Sequence, residues 1–270
     1  MSNSPVLIPG LSWRAGSNGL GKSIKLSQIK RKLGWIPKQK EISHGDPHPT
    51  GAPTDEKDDL PKNYDCRKAF PKCTTIPSIK DQSNCGSCWA VSVAATFSDR
   101  LCIHSNGKVN FNMSADQLLA CDKKSDGCDG GYLDTAWQYI EKEGLVTGGD
   151  YGSNELAQVI SKIIPSISPS GFHLLHNEYF SFPKCVSRTD HTHIFLHSFL
   201  GIYQRPFFDF IPLGGHAVRV IGWGEEDGMK YWLVANSWGT DWGEEGTFRI
   251  IRGTNECSFE SEAVTALPEN

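Results

Sequence analysis

A cysteine that follows a glycine-bearing loop and opens a helix can act as a nucleophile. The stretch Asp81-Gln82-Ser83-Asn84-Cys85-Gly86-Ser87-Cys88-Trp89-Ala90 has that form. After Cys88 the apolar residues Trp89, Val93, Phe97 and Leu101 recur every fourth position, the spacing of one helix face. The spacing predicts a helix beginning at Cys88. The thiol then lies among unpaired backbone N–H groups at the positive end of the helix dipole. A thiolate, the reactive form, is favoured there. Gln82, six residues upstream, can donate its amide hydrogen to a developing oxyanion. Two plainer readings stand beside this one: a redox pair made by Cys85-x-x-Cys88, or two structural cysteines.

A thiol nucleophile works with a base, and the base with a third group that orients it. Gly214-Gly215-His216-Ala217 offers an imidazole at a strand start, where two glycines let a substrate backbone come close. Asn236-Ser237-Trp238-Gly239 offers an orienting amide at the end of the next strand. A lone His or Asn is most often structural. The chemistry therefore depends on elements that bring three distant segments together.

Those elements are legible in part. Ser114-Ala115-Asp116-Gln117 reads as a capping box opening a second helix. Cys128-Asp129-Gly130-Gly131-Tyr132 reads as a tight turn, followed by a helix over Leu133 to Glu143 that Gly144 stops. Ala217–Ile221, Lys230–Val234 and Thr247–Ile251 are rich in β-branched and aromatic residues and read as strands. Helices first and strands later predict an α+β protein. Residues from about Ser153 to Leu213 have weak periodicity and give no assignment. The histidines there, with Cys185, fit no zinc spacing, so no metal or other cofactor is expected.

Cys85-Gly86-Ser87-Cys88-Trp89 resembles the active-site segment of papain-like cysteine peptidases, whose local signature is C-G-[SA]-C-[WY]. His216 lies 128 residues and Asn236 148 residues beyond Cys88, the downstream spacing of that family. A thioredoxin-type redox motif is preceded by its tryptophan, whereas Trp89 follows. Ser98-Asp99-Arg100-Leu101-Cys102-Ile103-His104, Gly127 to Tyr132 and Trp232 to Trp238 resemble the cathepsin B branch.

The resemblance implies a two-lobed papain-like fold, with a helical left lobe and a β-barrel-like right lobe. It implies peptide-bond hydrolysis through a thiolate–imidazolium pair of Cys88 and His216. Asn236 orients the imidazole, Trp238 shields that hydrogen bond, and the Cys88 N–H with Gln82 forms the oxyanion hole. Gly86, Gly131 and Gly215 line the cleft. Glu262 accepts a basic side chain in the second pocket. Cys73–Cys102, Cys85–Cys128 and Cys121–Cys185 form disulfides, while Cys66 and Cys257 stay as thiols. A catalytically inactive homologue or truncated isoform acting as a binding protein would share every one of these motifs. Partners would be peptide and protein substrates and cystatin-type inhibitors, taken by a monomer.

Residues 1–59 read as a propeptide-like segment and linker, and 60–270 as the peptidase domain. Ser12 to Gly16 and Lys30-Arg31-Lys32 with Leu33-Gly34-Trp35 suggest short helical pieces with apolar anchors. His44 to Asp59, with its prolines and acidic residues, suggests a linker open to proteolysis.

The chain departs from the cathepsin B pattern where 31 positions separate Cys185 from His216. A shortened right lobe would leave a sheet edge unpaired. From Asp129 to Lys184 no cysteine and no adjacent histidines occur, so the loop that lets cathepsin B remove C-terminal dipeptides is unpinned. Internal cleavage is expected instead.

A net charge of −4 and a pI near 6.1 give no electrostatic case for nucleic acid or an anionic membrane. No apolar run would span a bilayer. Nine cysteines suggest folding in an oxidising compartment, hence a lysosomal or extracellular destination, although no secretory signal is visible at the amino terminus.

Overall fold

Beyond residue 60 the helices come before the main strands, and each half builds its own core. The computed structural model describes residues 13–16, 26–36, 60–148, 172–176, 186–191, 198–205, 214–261 and 263–268. Strand β1 (Trp13–Gly16) and helix α1 (Leu26–Lys32) precede β2 (Tyr64–Asp65) and α2 (Cys66–Ala69). Helices α3 (Cys88–His104), α4 (Ala115–Cys121) and α5 (Leu133–Glu143) follow. The strands are β3 (Phe172–His176), β4 (Val186–His191), β5 (Ser198–Tyr203), β6 (Gly215–Glu226), β7 (Met229–Ala235), β8 (Thr247–Ile251) and β9 (Val264–Pro268).

The face predicted for α3 is the one it buries. Trp89, Val93, Phe97 and Leu101 pack with Leu133, Ala136, Trp137 and Ile140 of α5. Each such side chain removed from water contributes about 2 kcal/mol. The Cys73–Cys102 disulfide ties the far end of α3 to the loop before it, and Cys85–Cys128 ties the near end to the turn before α5. The second bond removes the redox-pair reading, because Cys85 is not available to Cys88. Cys121 is an exposed thiol outside any disulfide, so the expected Cys121–Cys185 bond is absent. Cys121 ends α4 in the helical half, whereas β4, which follows Cys185, is paired into the sheet opposite β6. Cys185 itself lies outside the described residues.

The capping box at α4 is half made. Ser114 Oγ accepts from the Gln117 N–H at 3.1 Å, as predicted. The Gln117 side chain does not reach back. Its oxygen accepts from the Val146 N–H at 2.7 Å and its nitrogen donates to the Tyr139 hydroxyl at 3.1 Å, tying α4 to the end of α5. Helix α5 ends where predicted, at Gly144, whose φ of 75° suits glycine.

The strands run in the order β1-β5-β8-β7-β6-β4-β9-β3, with β2 pairing β6. Most neighbours are antiparallel, and β5 with β8 is parallel. This sheet is not closed into a barrel, unlike the barrel-like lobe expected. Its terminal strands, β1 and β3, come from distant parts of the chain and pair with β5 and β9 rather than with each other. Strands β3, β4 and β5 come from the stretch whose sequence gave no assignment. Trp13–Gly16 is strand rather than helix, because β5 offers it an open ladder: Trp13 faces Gly201 and Gly16 faces Ser198. In the full chain β1 thus covers the free side of β5. The linker residues 44–59 lie outside the described residues.

Among the described residues a buried ion pair joins the two halves. Arg219 of β6 donates to Asp99 of α3 at 2.7 Å and to the carbonyls of Thr75, Ile76 and Ser78. Both charged side chains are buried. Burial pushes the Asp99 carboxyl upward, against the pull of Arg219.

Candidate active site

Cys88 is the first residue of α3 and is fully buried. The backbone N–H groups of Ala217, Gly34, Trp89 and Trp35 favour its ionised form. That of Gly34 lies 3.4 Å away. Ala217 brings with it His216, the second residue of β6. The next strand, β7, ends at Ala235, so Asn236 falls opposite the start of β6.

His216 Nε2 and Asn236 Oδ1 are 2.8 Å apart. The same Asn236 oxygen accepts from the Ser237 N–H at 2.8 Å, which fixes the amide orientation. An acceptor beside Nε2 assigns that nitrogen the proton and leaves Nδ1 as the base. The ring of Trp238 lies against His216 at 5.2 Å between centroids.

Gln82 is oriented just as firmly. Its oxygen accepts from Ser237 Oγ at 2.6 Å and from Trp238 Nε1 at 3.2 Å. Its nitrogen must then face the cleft, and it donates to the Lys32 carbonyl and to the Cys85 carbonyl, each at 2.8 Å. Gln82 and Ser237 thus join the loop before Cys88 to the segment that follows β7.

Residues 32–36 cross this cleft. The Gly131 N–H donates to the Gly34 carbonyl at 2.7 Å, and the Ile36 N–H donates to the Gly131 carbonyl at 2.9 Å. The Trp35 N–H donates to the Gly215 carbonyl at 3.2 Å. Gly34 passes so close to Gly86 that a β-carbon on it would lie 1.6 Å from the Gly86 carbonyl oxygen. Glycine is therefore required at Gly34 for this path. The sequence offered Leu33-Gly34-Trp35 as apolar anchors; that they cross the thiol, and that Lys32 does so with them, depends on contacts 50 to 54 residues away in the chain.

Under this cover burial favours the uncharged form of both Cys88 and His216. Burial pushes the Cys88 thiol up to about 11 despite those N–H groups. Burial also pushes His216 down to about 4, with Asn236 opposing and the nearby Lys32 ammonium reinforcing. The thiolate expected from the helix terminus alone is outweighed by loss of water.

The structure places Cys88, His216, Asn236, Gln82, Gly86, Gly131, Gly215 and Trp238 around the segment 32–36 and its neighbouring walls. Glu262 lies outside the described residues. Glu260, close by, accepts from Trp232 Nε1, the Gly253 N–H and the Asn255 N–H, which makes it a brace of its own loop. The residues missed in the sequence are Lys32, Ser83 and Ser237. Their signal is weak, because each acts through backbone groups or reaches a distant segment. Among the described residues no helix is long and apolar enough to cross a membrane.

The family model for papain family cysteine protease matches residues 60–267. A cathepsin B-like cysteine proteinase 6 of Caenorhabditis elegans is 36% identical over 78% of this chain and 67% of its own length. A cathepsin B-like cysteine proteinase 4 of the same animal is 34% identical over 95% of this chain and 88% of its own. Among solved structures, procathepsin B S9 from Trypanosoma congolense superimposes with a TM-score of 0.74 at 32% identity, covering 96% of this chain and 94% of its own.

Proposed function

The chain belongs to the papain family of cysteine proteases and is a cathepsin B-like cysteine peptidase, and from that premise we propose that Cys88 is the nucleophile of an endopeptidase. The observation that carries this reading is the convergence of His216–Asn236 at 2.8 Å and an oriented Gln82 amide on the backbone that crosses Cys88.

In the reaction, His216 Nδ1 takes the thiol proton and Cys88 attacks the peptide carbonyl. The oxyanion forms against the Gln82 amide and the Cys88 N–H. A donor of this kind is typically worth about 3 kcal/mol of barrier. His216 then delivers its proton to the leaving amine, and water cleaves the thioester. Asn236 holds the ring throughout by accepting from Nε2.

Residues 1–59 act, on this reading, as a pro-segment that covers the cleft of a 60–270 peptidase domain. Support comes from the Lys32 to Ile36 contacts, which occupy both the oxyanion donor and the Gly131 backbone. Peptides and proteins are substrates. Glu262 gives preference for Lys or Arg in the second pocket, cystatin-type inhibitors are cleft-directed partners, and the enzyme works as a monomer. Two disulfides support folding in the secretory route and a lysosomal or extracellular destination.

The test is peptide hydrolysis after the full chain has been allowed to release its amino-terminal segment. Cys88→Ser should abolish turnover and labelling by an epoxide thiol trap. Cys257→Ser should leave both intact. Equal loss in the two variants would remove Cys88 from the role.

A further inference from the structure

We propose that the pocket filled by the Lys32 side chain is a subsite for a basic residue on the leaving-group side of the scissile bond, so that this peptidase prefers Lys or Arg immediately after the bond it cuts. The inference rests on the reading of Cys88 as nucleophile and names a part of the substrate which that reading leaves open.

Lys32 is 6% exposed, unusual for a lysine unless acceptors surround it. Three groups meet its ammonium. The Ser83 carbonyl accepts from Nζ at 2.5 Å. Asp81 Oδ1 lies 3.9 Å away. The face of Trp238 lies 5.6 Å from Nζ, within the range of a cation–π contact. Burial alone lowers the affinity of Lys32 for its proton, and Asp81 opposes that loss.

The pocket is held by bonds that do not involve Lys32. Asp81 Oδ1 accepts from the Ser83 N–H at 2.8 Å, closing a turn in which Ser83 adopts a φ of 53°. Trp238 is anchored through its Nε1 to Gln82. A carbonyl, a carboxylate and an aromatic face are therefore built into the cleft wall, and all three select a cation.

The path of the covering segment assigns the side. Lys32 meets Gln82, Ser83 and Trp238. Gly34 meets Cys88, and Trp35 and Ile36 meet Gly215 and Gly131. Lys32 and the Gly131 strip are thus on opposite sides of the thiol. His216 must reach the leaving amine, and Trp238 packs against His216. The residue that departs with that amine consequently lies beside Trp238, in the space that Lys32 fills. A charge-assisted hydrogen bond and a cation–π contact in a shielded site are together worth roughly a tenfold preference over an uncharged side chain of equal length.

Two measurements test the proposal. In the full chain carrying Cys88→Ala, amide hydrogen exchange of residues 33–36 reports how firmly the cover is held. K32M should speed that exchange about tenfold, while K32R should leave it near the parent rate. In the self-processed enzyme, kcat/KM is compared for internally quenched peptides that differ only in the first leaving-side residue. Lys and Arg should exceed norleucine by about tenfold and Glu by more. D81N should narrow the Lys-to-norleucine ratio only about twofold, because the Asp81 side chain is 63% exposed. Exchange unchanged by K32M, or peptides with norleucine cut as fast as those with Lys, would overturn the subsite. If exchange responds as stated and no peptide is cut at all, the pocket's selection of a cation stands and the proposed function fails.

Discussion

The two walls of the cleft are built in different ways. The wall that carries Cys88 is local. Its loop runs straight into α3, two disulfides close it, and α3 packs on α5 from the same part of the chain. The wall that carries His216 and Asn236 is long-range. Its central hairpin, β6 and β7, is flanked by β4 on one side and by β8, β5 and β1 on the other. Those outer strands include Trp13–Gly16, from far ahead of α3, and Ser198–Tyr203. A motif can fix the first wall, whereas the second depends on pairings that close only when distant segments meet.

The largest effect is expected at the ion pair that joins the walls. Arg219→Met leaves Asp99 buried without its charged partner and removes one donor from each of the Thr75, Ile76 and Ser78 carbonyls. Removing one member of a buried pair costs about 3–5 kcal/mol. The thermal midpoint of the full chain should fall by roughly ten degrees, read by circular dichroism. Double replacement, Asp99→Leu with Arg219→Met, should recover part of the loss, because an apolar pair leaves no buried charge. A loss in Arg219→Met below about 1 kcal/mol would mean that packing and the Gln82–Ser237 hydrogen bonds hold the walls together without it.

The same contrast explains what the sequence made legible. The α3 face, the stop at Gly144 and strands β6 to β8 follow from periodicity and turn residues. The pairing of His216 with Asn236 was legible through family motifs, since nothing local in either segment points to the other. Strands β3 and β4 were not legible. Phe172-His-Leu-Leu-His and Val186-Ser-Arg-Thr-Asp-His lack clean alternation, and their partners β9 and β6 decide their conformation. The upward push of burial on the Cys88 thiol was equally hidden. A helix terminus favours the thiolate, but desolvation under Gly34 and Trp35 reverses the balance, and that cover is a tertiary contact.

A second test acts on the cover. His216 has an ordinary value of 6.5 and about 4 in the covered cleft. Between these values an uncovered His216 binds a proton that the covered one does not. Closure is therefore fully held above about pH 6.5 and loses stability as pH falls toward 4. The loss is up to about 3 kcal/mol across that interval. Hydrogen exchange of residues 26–36 in the Cys88→Ala chain, corrected for intrinsic rates, should accelerate between pH 6.5 and 4.5. The α5 amides should not follow. His216→Gln should flatten the profile. A profile that stays steep in that variant would assign the acid response to other groups.

The smallest expected effect concerns the outermost strand. β1 pairs with β5 through Trp13–Gly201, Arg14–Leu200, Ala15–Phe199 and Gly16–Ser198. In an antiparallel pair, opposed residues alternate between exchanging both ladder hydrogen bonds and exchanging none. Arg14 and Ala15 are neighbours, so one of them donates to β5 and the other points its N–H away. Proline removes that N–H. Of Arg14→Pro and Ala15→Pro, one should therefore lose a ladder bond, at about 1 kcal/mol, and the other should cost less. The urea midpoint of the full chain reads the difference. If the two variants differ in this way, the amino-terminal strand belongs to the same cooperative unit as β5 and β8, and the covered edge contributes to the stability of the long-range wall. If neither moves the midpoint, β1 opens independently of global unfolding. The long-range wall would then end at β5, and the stability of the peptidase domain would not depend on the first sixteen residues.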